Sequence, residues 1–494
     1  MQKIAVIGSG FAGLSAAATL AKAGKSVTVF EKNESAGGRA RKFETHGYLF
    51  DMGPSWYWMP DVFEEYFNYF GKTTSDFYTL KRLDPSYRIY FGKDEILDVP
   101  AGLDALYQMF DTLEPGSSQF LRKFIEEGKY KYEVGINKLV RKPGLSILEL
   151  ADKDLFKGLF KLHVFQSIST YVRKYFKDPR LIQLLEFPVL FLGATPQNTP
   201  ALYSLMNYAD LALGTWYPMG GMHKIVEAMQ TIAIENGVEF RFNSPVQKIE
   251  MNGVKSRGLI VNNTFEEFDY LVAGADYHHV EQNLIPEQFR KYSSTYWDKR
   301  VMAPSSLIFY LGVNKKLNNL HHHNLFFDQD FGLHAKEIYD NPAWPTNPLF
   351  YVCVTSKTDD SVAPEGHENV FVLVPVAPGL KDSLEIREQY FNLVMERLEK
   401  LTGQEIRSAI DYKRSYAHND FIGDYNAFKG NAYGLANTLL QTANLKPSII
   451  NKKINNLFYT GQLTVPGPGV PPSIISGQVV AQQLLKETQK KAVL

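Results

Sequence analysis

After Met1-Gln2-Lys3 the chain continues Ile4-Ala5-Val6-Ile7-Gly8-Ser9-Gly10-Phe11-Ala12-Gly13, a short apolar run that leads directly into three spaced glycines. The apolar run predicts a buried strand, and the apolar spacing from about Ala12 to Ala23 predicts a helix that ends at Gly24. A second strand is predicted over Ser26–Phe30. Strand, glycine turn, helix and strand together form a βαβ unit, which is the building block of a Rossmann-like domain.

The three glycines of this turn have separate mechanical roles. Gly8 permits the tight turn, Gly10 lets the backbone approach a pyrophosphate, and Gly13 lets the helix and the strand pack closely. The free amides at the start of the helix, at Phe11 and Ala12, can then hold phosphate oxygens without a basic side chain. The pattern therefore predicts a dinucleotide site at these five residues.

An acidic residue follows at the spacing that such a site requires. Glu31 lies 18 residues after Gly13 and closes the second strand, where its carboxylate can accept both ribose hydroxyls. The same charge would repel the 2′-phosphate of NADP. NAD or FAD therefore remains as the cofactor, and Lys32 is included among its candidate ligands.

A second group of glycines lies shortly after Glu31. Gly37-Gly38-Arg39 is followed by a predicted strand and turn that ends in Asp51-Met52-Gly53-Pro54-Ser55. Glycines at these positions let the backbone pass close to a long ligand, and the Arg39 guanidinium can bind a phosphate or a carbonyl. The region predicts a cofactor that extends well beyond the first turn.

Together these motifs resemble the amino-terminal signature of the flavin-containing amine oxidase and phytoene desaturase superfamily, in which FAD lies extended across its domain. The resemblance implies FAD as the cofactor and an α/β fold, with a Rossmann-like FAD-binding domain of the GR2 type interleaved with a substrate domain of mixed β-sheet and helical cover. The implied bounds are 1–80, 215–285 and 450–494 for the FAD-binding domain. The implied bounds of the substrate domain are 86–214 and 286–449, and this domain is expected to include a helical, membrane-facing part.

The carboxyl-terminal segment carries a second signal. Leu457-Phe458-Tyr459-Thr460 predicts a strand, and a loop containing Pro466-Gly467-Pro468-Gly469 precedes a helix that begins near Pro472 or Ser473. The positive end of this helix could stabilise negative charge on the N1–O2 edge of a reduced flavin. The segment is similar to that of bacterial-type phytoene desaturases. With the motifs above, the resemblance implies cofactor contacts at Gly38, Arg39, Gly53, Pro54, Ser55, Val246, Ala275, Asp276, Gly461, Gln462, Val470 and Pro471.

Composition narrows the class of ligand. Of the 494 residues 45% are hydrophobic and 21% charged, which is typical of a globular protein. Lys and Arg number 53 and Asp and Glu also number 53, so no net charge favours nucleic acid. Aromatic residues make up 13% of the chain and are frequent over residues 56–70, where they could wall a tunnel for a hydrophobic polyene, although most are expected in the core.

Catalysis by such an enzyme transfers a hydride to the flavin and removes a proton from the neighbouring carbon. The resemblance places Glu149 roughly where an acidic residue has been proposed in related desaturases. Glu149 is therefore the candidate catalytic acid or base. The alternative is a solvated carboxylate on a helix.

A helix is predicted downstream of Glu149 with two parallel stripes. The apolar stripe consists of Phe156, Phe160, Val164, Ile168 and Val172. The basic stripe consists of Lys153, Lys157 and Lys161. Such a helix could bind an anionic membrane surface, and an ordinary half-buried helix is the alternative. Because no apolar run of 18 residues and no signal peptide is found, we expect a cytoplasmic protein that associates peripherally with the membrane.

No metal site is predicted. Cys353, the single cysteine, lies between Val352 and Val354 and is expected to be a buried thiol on a strand. His321-His322-His323 is expected in a surface loop, because adjacent side chains point in different directions and chelate poorly.

The resemblance implies an FAD-dependent desaturase that introduces C=C bonds into a carotenoid. The substrate would be phytoene or a later carotenoid, including a 1-hydroxylated one desaturated at the 3,4 position. Two alternatives stay open: a flavin amine oxidase or retinol-saturase-like oxidoreductase, and a non-catalytic flavoprotein that binds carotenoids. The oligomeric state is left open.

Overall fold

A computed structural model describes residues 1–146, 149, 163 and 166–493 of the chain. The strands in chain order are β1 (Lys3–Ile7), β2 (Ser26–Phe30), β3 (Lys42–Thr45), β4 (Tyr48–Asp51), β5 (Leu80–Arg82), β6 (Tyr87–Tyr90), β7 (Ile96–Val99), β8 (Trp216–Pro218), β9 (Glu239–Arg241), β10 (Val246–Asn252), β11 (Lys255–Val261), β12 (Thr264–Glu267), β13 (Tyr270–Ala273), β14 (Ser305–Val313), β15 (His323–Phe326), β16 (Phe350–Cys353), β17 (Glu368–Val376), β18 (Ile410–Tyr416) and β19 (Leu457–Tyr459).

The α-helices follow the same chain order. They are α1 (Phe11–Lys22), α2 (Pro60–Tyr69), α3 (Leu103–Leu113), α4 (Ser117–Val134), α5 (Ile168–Arg173), α6 (Pro179–Glu186), α7 (Leu205–Asn207), α8 (His223–Glu235), α9 (Tyr277–His279), α10 (Ser294–Asp298), α11 (Phe331–Tyr339), α12 (Leu384–Thr402), α13 (His418–Tyr425) and α14 (Val470–Val493).

The first sheet is parallel throughout and has the strand order β19-β13-β1-β2-β9. Successive side chains of β1 alternate between its two faces: Ile4 and Val6 pack in the same core as α1, and Ala5 and Ile7 pack in the core on the other side. The predicted βαβ unit and the α/β fold class are therefore confirmed. The strands of this sheet come from three separated parts of the chain, and the rest of the chain is inserted between those parts.

Two glycines set the spacing between α1 and its neighbours. A β-carbon added at Gly13 would lie 2.0 Å from the carbonyl oxygen of Gly8, and one added at Gly477 of α14 would lie 2.4 Å from the carbonyl oxygen of Ala12. The Ser15 hydroxyl also donates to the carbonyl of Ile474 at 2.7 Å. Helix α1 therefore packs against the glycine turn and α14 at distances that admit no side chain.

The second sheet is mixed and has the order β18-β14-β17-β16-β15-β6-β7, in which only the β15–β6 pair is parallel among the pairs described. The predicted strand over Ser305–Val313 is β14, and the predicted Asn369–Pro375 lies within β17. One face of β14 packs against α12, with Phe309 and Phe391 in edge-to-face contact. The other face, with Ile308 and Tyr310, belongs to the large core shared with the first sheet.

The described helices include none that is both long and apolar enough to cross a membrane. The stripes predicted for membrane contact lie largely outside the described residues. Two members of the apolar stripe are described, Ile168 and Val172 on α5, and both are fully buried. These two residues contribute to the core and not to a membrane-facing surface, because α5 packs its apolar face inward.

Candidate functional site

A cavity of about 620 Å³ lies at the carboxyl ends of the parallel strands and continues against the second sheet. This edge of an open α/β sheet is where ligands usually bind. Eighteen of the predicted cofactor residues line it: Gly8, Gly10, Phe11, Ala12, Glu31, Lys32, Gly38, Arg39, Gly53, Pro54, Ser55, Val246, Ala275, Asp276, Gly461, Gln462, Val470 and Pro471. Gly13 lies beneath the turn instead, where its missing side chain leaves room for Gly8.

The amino-terminal end of α1 opens into this cavity. Gly10 is its N-cap in an extended conformation, and a β-carbon there would meet nothing within 4 Å. Gly8 has φ +92°, a left-handed conformation that favours glycine. The turn thus leaves open space in front of the helix amides, which suits a pyrophosphate group.

Glu31 is held firmly at the end of β2. One carboxylate oxygen accepts hydrogen bonds from the Ser9 amide (2.9 Å) and hydroxyl (2.8 Å), and the other from the Asn33 backbone amide (2.9 Å) and side-chain amide (3.0 Å). These four bonds saturate the carboxylate. Ribose hydroxyls can therefore bind Glu31 only after the two rotatable donors, the Ser9 hydroxyl and the Asn33 side chain, turn away.

Arg39 and Asp276 bring opposite charges to the buried side of the cavity. The Arg39 guanidinium donates to the carbonyl of Asn431 at 3.2 Å, while its Nε has no hydrogen-bond partner among the described residues. Burial raises the pKa of Asp276, and the nearby Arg39 opposes that rise. A half-buried guanidinium whose Nε–H is buried and unpartnered among the described residues fits a cofactor oxygen acceptor.

The second helix terminus at the cavity belongs to α14. The helix begins at Val470, two to three residues earlier than predicted, so that Val470 and Pro471 stand in its first turn and line the cavity. Gly461, with φ +109°, follows β19, and its amide donates to the Ser476 hydroxyl at 3.1 Å. The positive ends of two helices, α1 and α14, thus face one cavity, which favours a ligand with negative charge at both places.

The remainder of the cavity is apolar, and its wall combines part of the predicted aromatic stretch with residues that the sequence did not indicate. Of the aromatic stretch after the flavin motif, Trp56, Trp58 and Met59 line the cavity, whereas Tyr57, Phe63, Tyr66 and Phe67 are core residues. Other apolar walls come from the second sheet and from α11, and include Phe187, Ile308, Leu325, Phe327, Phe331, Leu349 and Leu373. Because these residues are far apart in the chain, only the fold brings them together.

A few polar groups interrupt the apolar walls. Ser306, Tyr339 and Tyr433 line the cavity, and the Tyr339 hydroxyl is buried without a hydrogen-bond partner in the described part of the chain. Burial raises the pKa of both tyrosines, so they stay protonated donors at neutral pH. The serine pair at the start of the otherwise apolar β14 is a sequence signal that could have indicated Ser306, whereas the two tyrosines reach the cavity only through the fold.

Glu149 lies outside the lining of this cavity. Its carboxylate accepts the amides of Gly144 (2.9 Å), Leu145 (2.9 Å) and Ser146 (3.1 Å), which makes it a cap for that turn. Its catalytic role stays a prediction.

The prediction of a surface loop for the histidine triplet is wrong for two of its members. His322 is 4% exposed and His323, the first residue of β15, is fully buried, because the chain enters the second sheet here and Trp56 stacks on the His323 ring at 4.1 Å. Cys353 is confirmed as a buried thiol at the end of β16.

Comparisons with known proteins agree with this geometry. The family model described as flavin containing amine oxidoreductase matches residues 11–485. A carotenoid 3,4-desaturase of Haloarcula japonica is 41% identical over 98% of both chains, and a zeta-carotene-forming phytoene desaturase of Myxococcus xanthus is 31% identical over 98% of this chain and 94% of its own. The chain therefore belongs to the flavin containing amine oxidoreductase family, and it is an FAD-dependent oxidoreductase.

Its sequence relatives place it more narrowly, within the carotenoid desaturases of that family. Solved structures of similar fold include an oxidoreductase from Methanosarcina mazei, with a TM-score of 0.63, 16% identity and coverage of 97% of this chain and 100% of the other. Putrescine oxidase bound to putrescine also has a TM-score of 0.63, with 13% identity and coverage of 98% and 99%. These structures show the shared fold.

Proposed function

We propose that this protein introduces C=C bonds into a carotenoid by FAD-dependent desaturation, acting at the 3,4 position. One observation carries the proposal: the residues of the flavin motifs and a large apolar surface of the second sheet line the same cavity. A polyene without charged groups needs apolar walls beside the flavin. The higher identity to the 3,4-desaturase than to the phytoene desaturase favours the 3,4 position.

Named residues fit the cofactor. The amides at the start of α1 would hold the pyrophosphate, Glu31 the ribose, and the first turn of α14 the pyrimidine edge of the flavin. Bound FAD supplies the hydride acceptor for the reaction. The protein's own contribution is to exclude water and to orient the polyene, with wall residues that include Trp56 and Trp58, which follow Gly53-Pro54-Ser55 in the chain.

The buried hydroxyls favour a hydroxylated substrate over a pure hydrocarbon. Tyr339 has an unpartnered hydroxyl in the cavity wall, and such a group is costly unless a ligand satisfies it. A 1-hydroxyl group at one end of the polyene would offer an acceptor. Loss of the hydrogen bond from the Tyr339 hydroxyl to that substrate hydroxyl would cost about 0.5–1.5 kcal/mol, or roughly two- to tenfold in kcat/KM.

The test compares precursors and a matched pair of variants. Cells that accumulate phytoene, lycopene or a 1-hydroxylated carotenoid would express the protein, and the absorption spectrum of the extracted pigment reports each added conjugated bond. We expect a shift to longer wavelength, largest with the hydroxylated precursor. Tyr339→Phe should reduce that preference, whereas Tyr66→Phe should not, because the Tyr66 hydroxyl is equally unpartnered but lies in the core.

Anaerobic mixing separates this function from its rivals. Bleaching of the bound flavin by a carotenoid, and not by primary amines, is expected. Bound pigment with unchanged flavin would identify a carrier, and bleaching by amines alone would identify an amine oxidase.

Peripheral contact with a membrane is also proposed, since the substrate is dissolved in lipid. Leu440 is 76% exposed and Leu445 is 55% exposed, and the Asn444 side chain between them donates to the carbonyl of Ser146. Two exposed leucines in one loop supply apolar contact with a bilayer. The double variant Leu440→Ser, Leu445→Ser should reduce co-sedimentation with phospholipid vesicles. Leu384, which is 79% exposed on α12, supplies the control, and Leu384→Ser should not reduce it. Equal binding by the unmodified protein and both variants would exclude this loop as the membrane contact.

A further inference from the structure

Three donor side chains meet in the second sheet, beside the cavity but outside its lining. His323 of β15 and Cys353 of β16 are directly paired in the antiparallel ladder, so their side chains share one face of the sheet. His322 lies just before β15. One ring nitrogen of each histidine and the Cys353 Sγ all lie within 4.8 Å of one another, and the three residues are 4%, 0% and 2% exposed.

Among the described residues, Nε2 of His322 and of His323 has no hydrogen-bond partner. Nδ1 of His322 is 2.7 Å from the Thr358 hydroxyl, and Nδ1 of His323 is 2.6 Å from the Tyr351 hydroxyl. Nε2 of both rings is buried with no hydrogen bond to any residue that the structure describes. Unsatisfied polar atoms are rare in protein cores, and two on neighbouring residues beside a thiol need an explanation.

The hydrogen bonds of Tyr351 fix the state of the His323 ring. The Tyr351 hydroxyl donates to the Ser55 hydroxyl at 3.0 Å, so it accepts from His323 Nδ1–H, and Nε2 carries a free lone pair. An orienting bond on one nitrogen and a free lone pair on the other is the usual state of a metal-binding histidine.

We propose that His322, His323 and Cys353 bind one thiophilic transition-metal ion, Zn²⁺ or Cu⁺. Imidazole and thiolate donors select these ions over Mg²⁺ or Ca²⁺, which prefer oxygen. Metal–ligand bonds of about 2.0–2.3 Å require the donors to draw together by roughly 1 Å. Binding displaces the thiol proton to solvent, and no electron is transferred.

The ion would act on the cavity through Trp56. This side chain lines the cavity and stacks on His323 with 10° between the rings, and Tyr351, the partner of His323 Nδ1, lines the cavity too. Fixing His323 therefore fixes two wall residues. The proposed role is structural, with no step in the desaturation.

Metal binding to the FAD-loaded protein, purified with a tag that contains no histidine, is the test. After incubation with Zn²⁺ in one arm and with Cu⁺ under anaerobic reducing conditions in the other, elemental analysis should find about one ion per chain in at least one arm. Cys353→Ser and His323→Gln should reduce the content at least tenfold. His321→Gln is the matched control, because His321 is the adjacent histidine and lies outside the cluster, near Asp98.

A spectroscopic measurement on the unmodified protein keeps the test decisive if variants fail to fold. Co²⁺ should give a thiolate-to-cobalt charge-transfer band, which can be assigned to Cys353 because the chain has a single cysteine. Absence of that band together with less than a tenth of an ion in both arms, in protein that retains FAD, would overturn the proposal. Undiminished metal in Cys353→Ser would overturn it as well.

Discussion

Replacing Gly477 with alanine should loosen the contact between α14 and α1. The new β-carbon would lie 2.4 Å from the Ala12 carbonyl oxygen, 2.6 Å from the Ser15 β-carbon and 2.8 Å from the Ala16 amide nitrogen. All three neighbours are backbone or β-carbon atoms that no rotamer change can move. The helices must separate by about 1 Å to restore ordinary contacts.

The cost follows from three contributions. Overpacking of this kind destabilises by about 1–3 kcal/mol, and stretching the Ser15–Ile474 hydrogen bond of 2.7 Å adds about 1 kcal/mol. Alanine regains about 1 kcal/mol through its higher helix propensity. The net loss of roughly 2 kcal/mol should lower the apparent Tm by about 2 °C, because the unfolding entropy of a chain of this length is on the order of 1 kcal/mol per degree.

Thermal unfolding followed by circular dichroism measures this effect, and flavin fluorescence follows FAD release in the same experiment. FAD release should shift with unfolding, because the first turns of both helices line the cavity. Gly423→Ala is the matched control: Gly423 is an exposed helical glycine of α13 whose β-carbon would meet nothing within 4 Å. A Gly477→Ala protein that melts at or above the wild-type temperature, as Gly423→Ala should, would refute the proposed close packing.

Two further predictions concern buried or capping charges. Burial lowers the pKa of Lys446 to about 7, so the unfolded chain binds more protons than the folded one between pH 7 and about 10. The free energy of unfolding should therefore rise with pH over that range, by up to about 1.4 kcal/mol per pH unit. Lys446→Met should abolish this slope, which is measured as Tm against pH. Glu149→Gln should keep bound FAD and turnover within about threefold, since it loses only one capping bond, whereas a hundredfold loss with FAD retained would identify a catalytic acid or base.

The local motifs could be predicted because each has a local physical cause. The glycine turn at Gly8 to Gly13 needs only a strand before it and a helix after it, and both are present. Strand β14 was predicted to the residue because a mostly apolar run of nine residues lies between Pro304 and Asn314. Helix α14 begins at Val470, before the predicted Pro472 or Ser473, because proline fits the first turn of a helix and Pro471 therefore belongs to it.

Long-range contacts could not be predicted in the same way. His323 and Cys353 are 30 positions apart, and only the register of β15 against β16 makes them neighbours. The prediction for the histidine triplet assumed that adjacent side chains point in different directions, as they do along a strand. His322 lies before β15 begins, so this alternation does not apply to it. The apolar cavity wall has the same origin, because it forms only when the second sheet meets the flavin motifs.

The position of β19 at the end of the parallel sheet affects how the protein is made. From Phe30 to Leu457 a ribosome adds 427 residues, which takes roughly 20–85 s at 5–20 residues per second. During that time the face of α1 that meets α14 stays uncovered, and over the last 184 of these residues, from Ala273 to Leu457, the edge of β13 has no partner strand. Because the first turn of α14 lines the cavity, we expect the nascent chain to retain FAD only after this segment has emerged.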